Sequence, residues 1–184
     1  VEITREGRNI QTAEIALIAN GKEVTKAFAL RMRVTDQAVP AEAMVSKAPP
    51  ARSDKDREFF RDGVSFGEQI TLRQAEYVPE GMNDAVWFRI GRPFFGDQQT
   101  TPLMRAAATG DFCNAFGAQL DFEKWTYINA DLTLHFSRAP VGEWIMLAAT
   151  GWMGGNGRGL AFGELADEQG YFGRSVQSLV IAER

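Results

Sequence analysis

The sequence predicts an α+β protein in which an antiparallel sheet wraps round one central helix. Three observations carry this expectation. Tyr127 to Ala182 reads as four strands in a row, and in the first of them Leu132, Leu134 and Phe136 alternate with Asp131, Thr133 and His135. Ahead of them Leu103, Ala106, Ala107, Gly110, Cys113, Asn114, Gly117 and Leu120 recur at helical spacing, a stripe made of small residues. With strand-like text on both sides of that stripe, the sheet has an obvious way to bury its apolar face, by closing over the helix.

Composition narrows the function classes. The 184 residues are 45% hydrophobic and carry a net charge of −4, as a globular protein does. With no dense Lys/Arg cluster, neither nucleic acid nor an anionic membrane is an expected partner. No apolar run approaches the roughly 20 residues of a membrane span. The single cysteine, Cys113, excludes an internal disulfide and suits a reducing, cytoplasmic compartment. One His and one Cys do not make a usual zinc site, so no metal and no cofactor is expected.

In order along the chain, residues 1–34 read as three strands. Val1, Ile3 and Arg5 alternate from the first residue, so the chain opens in mid-strand, and preceding residues are expected. Asn20-Gly21 is a strong two-residue hairpin signal. Pro40, Pro49 and Pro50 then interrupt a charged stretch, and residues 35–63 read as a surface linker with one short helix near 54–61. From 64 to 184 the text is ordered again. Strands are expected over SFGEQITLRQAEYV and VWFRIGRPF, then a helix with Thr101 as N-cap and Pro102 at its first position. The last four strands form a meander, with Asp-Glu-Gln-Gly at 167–170 as the final tight turn. A shift of about 150 positions brings Gly7-Arg8 near Gly157-Arg158 and Asn20-Gly21 near Gln169-Gly170, which suggests an internal repeat.

Several motifs together resemble the double-hotdog acyl-CoA thioesterases, the bacterial thioesterase II-like family. They are Arg5-Glu6-Gly7-Arg8, the N-x-D-L-T-L-x-x-x-R-x-P run from Asn129 to Pro140, Glu143-Trp144, the G-R-G of 157–159, the D-x-x-G turn and Ser175-Val176-Gln177-Ser178-Leu179. The resemblance implies two hotdog repeats, the first represented by its C-terminal part at 1–34 and the second by 64–184. It implies hydrolysis of acyl-CoA by a water held between an acid, a hydroxyl and a glutamine. The acid matches Asp131 and the glutamine Gln177. At the hydroxyl position a gap-free match puts Trp152, with Thr150 two residues earlier as the substitute. It also implies a homo-oligomer, with acyl-CoA as the partner.

The chemistry needs a carboxylate to take a proton from water and donors to hold the oxyanion. Gln177 is expected to orient the water through its amide oxygen, and the helix start at Thr101–Met104 to offer N–H groups. The Gly-rich stretch 151–159 lacks a P-loop lysine; Gly157 and Arg158 within it, with Trp152, are candidates for contact with the pantetheine arm or the acyl chain. Asp111 is a competing carboxylate, because some other hotdog thioesterases place their acid on this helix. Each candidate also has a plain structural reading: Asp131 as a strand-end acid, Gln177 as a buried hydrogen-bonding amide, Thr150 as a strand threonine, Asp111 as a solvated helix acid. The alternative to catalysis is a hotdog that binds acyl chains or acyl-CoA without turnover. A hydratase is weaker, since no D-x-x-x-x-H pattern occurs.

Overall fold

The computed structural model describes residues 1–44, 47–58 and 66–184. The chain divides into two compact units, residues 1–44 and 45–184.

The first unit is a three-stranded antiparallel sheet in the order β1 (Glu2–Glu6), β2 (Ile10–Ala19), β3 (Lys22–Met32). Asn20 and Gly21 both have positive φ, 49° and 72°, which is what a two-residue hairpin turn needs to match the twist of its strands. Phe28, Leu30 and Met32 stand at alternate positions on β3, and all three are exposed.

The second unit is an eight-stranded antiparallel sheet with two short helices packed on one face. Its strands are β4 (Arg52–Asp56), β5 (Ile70–Ala75), β6 (Asp84–Ile90), β7 (Trp125–Asn129), β8 (Thr133–Phe136), β9 (Trp144–Met153), β10 (Arg158–Asp167) and β11 (Gly170–Glu183). They lie in the order β4-β5-β6-β9-β10-β11-β7, with β8 also on β11. Alternation along β9 serves both faces. Ile145, Leu147 and Ala149 join the core with Leu72, Val86, Phe88 and Leu165, while Met146 and Ala148 join a second cluster with Ala85 and Trp87.

Four expectations change here. The last strands are not a simple meander: β9, β10 and β11 are, but the run before them splits at Ala130–Leu132 into β7 and β8, and both lie along β11. The single helix is two, α1 (Pro102–Gly110) and α2 (Cys113–Gly117). The glycine that looked like a packing position inside the helix is the last residue of α1, followed by Asp111 as its C-cap. The short helix near 54–61 is a strand, β4, as far as Asp56, paired with β5; residues 59–61 lie outside the described residues. The strand expected from Ser65 begins at Ile70, after a 3₁₀ turn over Phe66–Gln69. The start of α1 is as expected, with Thr101 Oγ1 accepting from the Met104 N–H at 3.2 Å.

The small residues let the helices lie almost on the strands. A Cβ on Gly117 would stand 2.6 Å from the Thr150 carbonyl oxygen, and one on Gly110 2.6 Å from Leu134 Cδ2. At Gly117 the obstacle is backbone, which cannot swing away. Gly117→Ala should therefore cost about 1–3 kcal/mol, as overpacked cores do, read as a lower denaturant midpoint; an unchanged midpoint would show that α2 lifts freely.

A buried ion pair ties the β8–β9 connection to the β10–β11 turn. Arg138 donates to both oxygens of Asp167, at 2.7 and 2.6 Å, and to the Gly170 carbonyl at 2.8 Å. Val141 and Gln169 N–H groups add 2.8 and 2.9 Å bonds to the same carboxylate. Burial alone would push the Asp167 carboxyl up, but the guanidinium and the two N–H groups outweigh it and hold the group below its ordinary value. A carboxyl lowered in the fold stabilises the protein above its unfolded pKa, about 3.9. That contribution is lost as pH falls through the lower folded value. Urea midpoints measured from about pH 5 downward should fall, and Asp167→Asn should flatten that acid dependence while lowering stability at neutral pH.

Candidate active site

The break between α1 and α2 leaves backbone groups that need partners, as every helix end does. Two β11 side chains on one face supply them. Ser175 Oγ donates to the Gly110 carbonyl at 2.7 Å. Gln177, fully buried, donates through Nε2 to the Asp111 carbonyl at 2.9 Å and accepts through Oε1 from the Asn114 N–H at 2.9 Å. One amide thus joins the last turn of α1 to the first of α2, where a buried amide must be paired.

The same amide reaches the Asp111 carboxylate. Gln177 Nε2 lies 3.3 Å from Asp111 Oδ1, and Asn129 Nδ2 from the end of β7 lies 3.1 Å from that oxygen. Asp111 is exposed while Gln177 beneath it is buried. The arrangement is an acid at the surface, held from below by two amide donors on neighbouring strands.

Of the residues singled out from sequence, Gln177 stands in this cluster. Its amide oxygen, expected to hold a water, accepts instead from Asn114. Asp131 lies one step away: its Oδ1 accepts from the Ser178 N–H at 2.6 Å, and its carbonyl is 3.5 Å from Asn129 Nδ2. Ala130 donates to the Ser178 carbonyl at 2.8 Å, so the Asp131 side chain finishes the pairing where the chain leaves β11.

Thr150 is not brought to Gln177. In register, Thr150 faces Phe162 and Phe162 faces Val176, while Gln177 faces Ala161 and Ala161 faces Gly151. Neighbouring rows point to opposite faces, and Gln177 points to the helices. Trp152 is 65% exposed, with its ring 5.0 Å from that of Phe162. A cavity of about 480 Å³ is lined by Trp152, Arg158, Leu160 and Ser178. Gly157 shapes the turn beside it, with φ 75°.

Other groups contribute less to a reaction. The start of α1, expected to offer N–H groups, is about 13 Å from Asp111 by helix rise. Burial pushes the Cys113 thiol up to about 11, so it stays protonated at neutral pH. Among the described residues, no group of three or more His, Cys, Asp and Glu stands together to hold a metal ion. No helix among them is long and apolar enough to cross a membrane.

From sequence Asp111 stood second because the resemblance matched the acid to Asp131 and a mid-helix acid reads most simply as solvated. Asn129 was seen only as part of a motif.

A curled antiparallel sheet over short helices, with a carboxylate and an amide at the helix break, defines a hotdog-fold protein. The chain belongs to the family described as "Acyl-CoA thioesterase C-terminal domain", whose model matches residues 36–181, and it is thereby a thioesterase. It is similar in structure to an acyl-CoA thioesterase II from Mycobacterium marinum, with a TM-score of 0.68 and 20% identity over 100% of this chain and 72% of that one. A thioesterase II described as putative from Thermobifida fusca gives a TM-score of 0.72 at 14% identity, covering 98% and 70%. A hot dog fold protein of unknown function from Alicyclobacillus acidocaldarius gives 0.68 at 17%, covering 97% and 70%. None of the curated proteins matches the chain.

With its hydroxyl on the far face from Gln177, Thr150→Val should leave turnover unchanged; a loss of roughly tenfold or more, measured as thiol release, would return that hydroxyl to the reaction.

Proposed function

We propose that the protein hydrolyses acyl-CoA to a free acid and CoA, with Asp111 as the general base that holds the water. The observation that carries this is the exposed Asp111 carboxylate, with Gln177 and Asn129 both donating to Oδ1. The second oxygen is then the one to meet the water. Water oxygen attacks the thioester carbonyl carbon as its proton passes to Asp111. The tetrahedral oxyanion collapses, the carbon–sulfur bond breaks, and the proton returns from Asp111 to the CoA sulfur. Gln177 holds the carboxylate and the helix break.

The substrate contacts belong to the same proposal. Arg158 offers a guanidinium suited to a CoA phosphate and Gly157 close backbone approach, whereas Trp152, in one row with Leu160 and Ser178, lies on the face away from Gln177 and is left out of the proposal. We place the protein in the cytoplasm on the strength of its single free cysteine. The exposed cross-strand pair Ile128 and Val180 supports a homo-oligomer, to be read by light scattering.

Two other readings have an observation behind them. Asp131 itself is the base if its side chain leaves Ser178 when substrate binds. A non-catalytic acyl-CoA binder is favoured by the place of Thr150 on the far face. One experiment separates all three. Against a chain-length series of acyl-CoAs, Asp111→Asn should lose at least about 100-fold in kcat, while Asp131→Asn, which keeps an acceptor for Ser178, should stay close to the parent. The reverse order would give the base to Asp131. Acyl-CoA binding with no thiol release by the parent protein would give the binder.

A further inference from the structure

We propose that Arg8, Arg31 and Arg33, all in the first unit, form a binding site for a soluble phosphate monoester. Arg8 stands far from the other two in the sequence, and the fold gathers them. The Gly7 N–H donates to the Ile10 carbonyl at 3.0 Å and closes the β1–β2 turn that carries Arg8. A Cβ on Gly7 would stand 2.8 Å from that carbonyl oxygen, so the turn needs glycine there. The Arg33 N–H donates to the Asn9 carbonyl at 2.9 Å, which brings the end of β3 beside the same turn. Arg31 and Arg33, two positions apart, share one face. A cavity of about 230 Å³ opens there, lined by Arg8, Asn9, Gln11, Arg31 and Arg33.

All three arginines are exposed. Arg8 and Arg33 have no side-chain hydrogen bond and no ion pair among the described residues. Arg31 spends Nη1 on Gln11 Oε1 at 2.9 Å and keeps the rest of its fork. The acid in the same row, Glu6, is engaged by Gln11, whose Nε2 donates to both its oxygens at 3.1 Å. Like charges gathered round one cavity repel one another, and an anion relieves that repulsion. A carboxylate brings one charge and two oxygens. A phosphate monoester brings nearly two charges and three terminal oxygens, one for each guanidinium. The cavity is smaller than the roughly 300–1,000 Å³ that encloses a drug-sized ligand. It therefore takes the phosphate and leaves the rest of the ester in solvent.

Calorimetry on the full chain at fixed ionic strength tests this, with adenosine 3′,5′-bisphosphate, inorganic phosphate and acetate as probes. The bisphosphate and inorganic phosphate should bind, and acetate at the same concentration should not. Arg8→Gln and Arg33→Gln break no side-chain contact within the sheet. Each should weaken bisphosphate binding about tenfold at an unchanged thermal midpoint. Arg33→Lys keeps the charge without the fork, and its affinity should fall between those of the parent and Arg33→Gln. No binding of the bisphosphate by the parent, or parent-like binding by both glutamine variants, overturns the proposal. So does acetate bound as tightly as phosphate, and so does attachment to phosphatidate vesicles without binding of the bisphosphate. If the glutamine variants lose stability, an Arg33→Lys protein of parent stability and parent affinity overturns it as well. Thiol release plays no part in the readout, so failure here leaves the hydrolysis reading untouched.

Discussion

One buried amide holds this structure and its candidate chemistry together. Gln177 spans the break between two helices that are too short to be stable alone. Its two ends satisfy one carbonyl and one N–H that the break would otherwise leave unpaired inside the protein. Removing such a partner exposes the full desolvation cost of the buried groups. The position of Asp111 follows from this constraint, since the carboxylate belongs to the residue whose carbonyl Gln177 holds. An exposed acid on a mobile turn would have no fixed direction. Here it is tied by its own backbone to the sheet and by its side chain to two strands.

That arrangement requires the helices to lie very close to the strands, and glycine makes it possible. Gly117 rests on the backbone of Thr150, and Gly110 on Leu134. The helix break falls within this close contact, where β11 side chains as short as Ser175 reach the helix backbone. At the other end of β11, Arg138 and Asp167 lock the loop before β9 to the final turn. The sheet is thus fixed at the turn by an ion pair and at the site by amides. The ion pair tolerates burial because every oxygen of Asp167 is bonded, which is the condition under which a buried charge is retained.

Much of the fold was legible in residue pattern. Asn20-Gly21, the Thr101-Pro102 start and the Asp167–Gly170 turn each combine local backbone preference with short-range hydrogen bonds, and each stands where the pattern put it. The candidate site was half legible. Gln177 sat in a recognisable motif. Asp111 was visible only as a rival, because the resemblance matched the acid to Asp131 and a mid-helix acid reads most simply as solvated; helical periodicity does not show where a helix stops when the packing residues on both sides are equally small. Asp131 drew attention through a motif whose carboxylate turns out to complete strand pairing at Ser178. Thr150 could be placed on a strand but not on a face relative to Gln177, because a face depends on the register between strands.

The sequence by itself determined the strands, the hairpin turns, the small-residue helical stripe and the family to which the chain belongs. These rest on interactions between residues a few positions apart, or on motifs that survive as text. Only the tertiary structure decided that the stripe breaks at Asp111, that β7 and β8 both lie along β11, and that Asn129, Asp111 and Gln177 share one hydrogen-bonded cluster. Those three side chains come from segments up to 66 residues apart. Their meeting is set by strand order and by the depth at which glycine lets a helix settle, neither of which is written in any local run of residues.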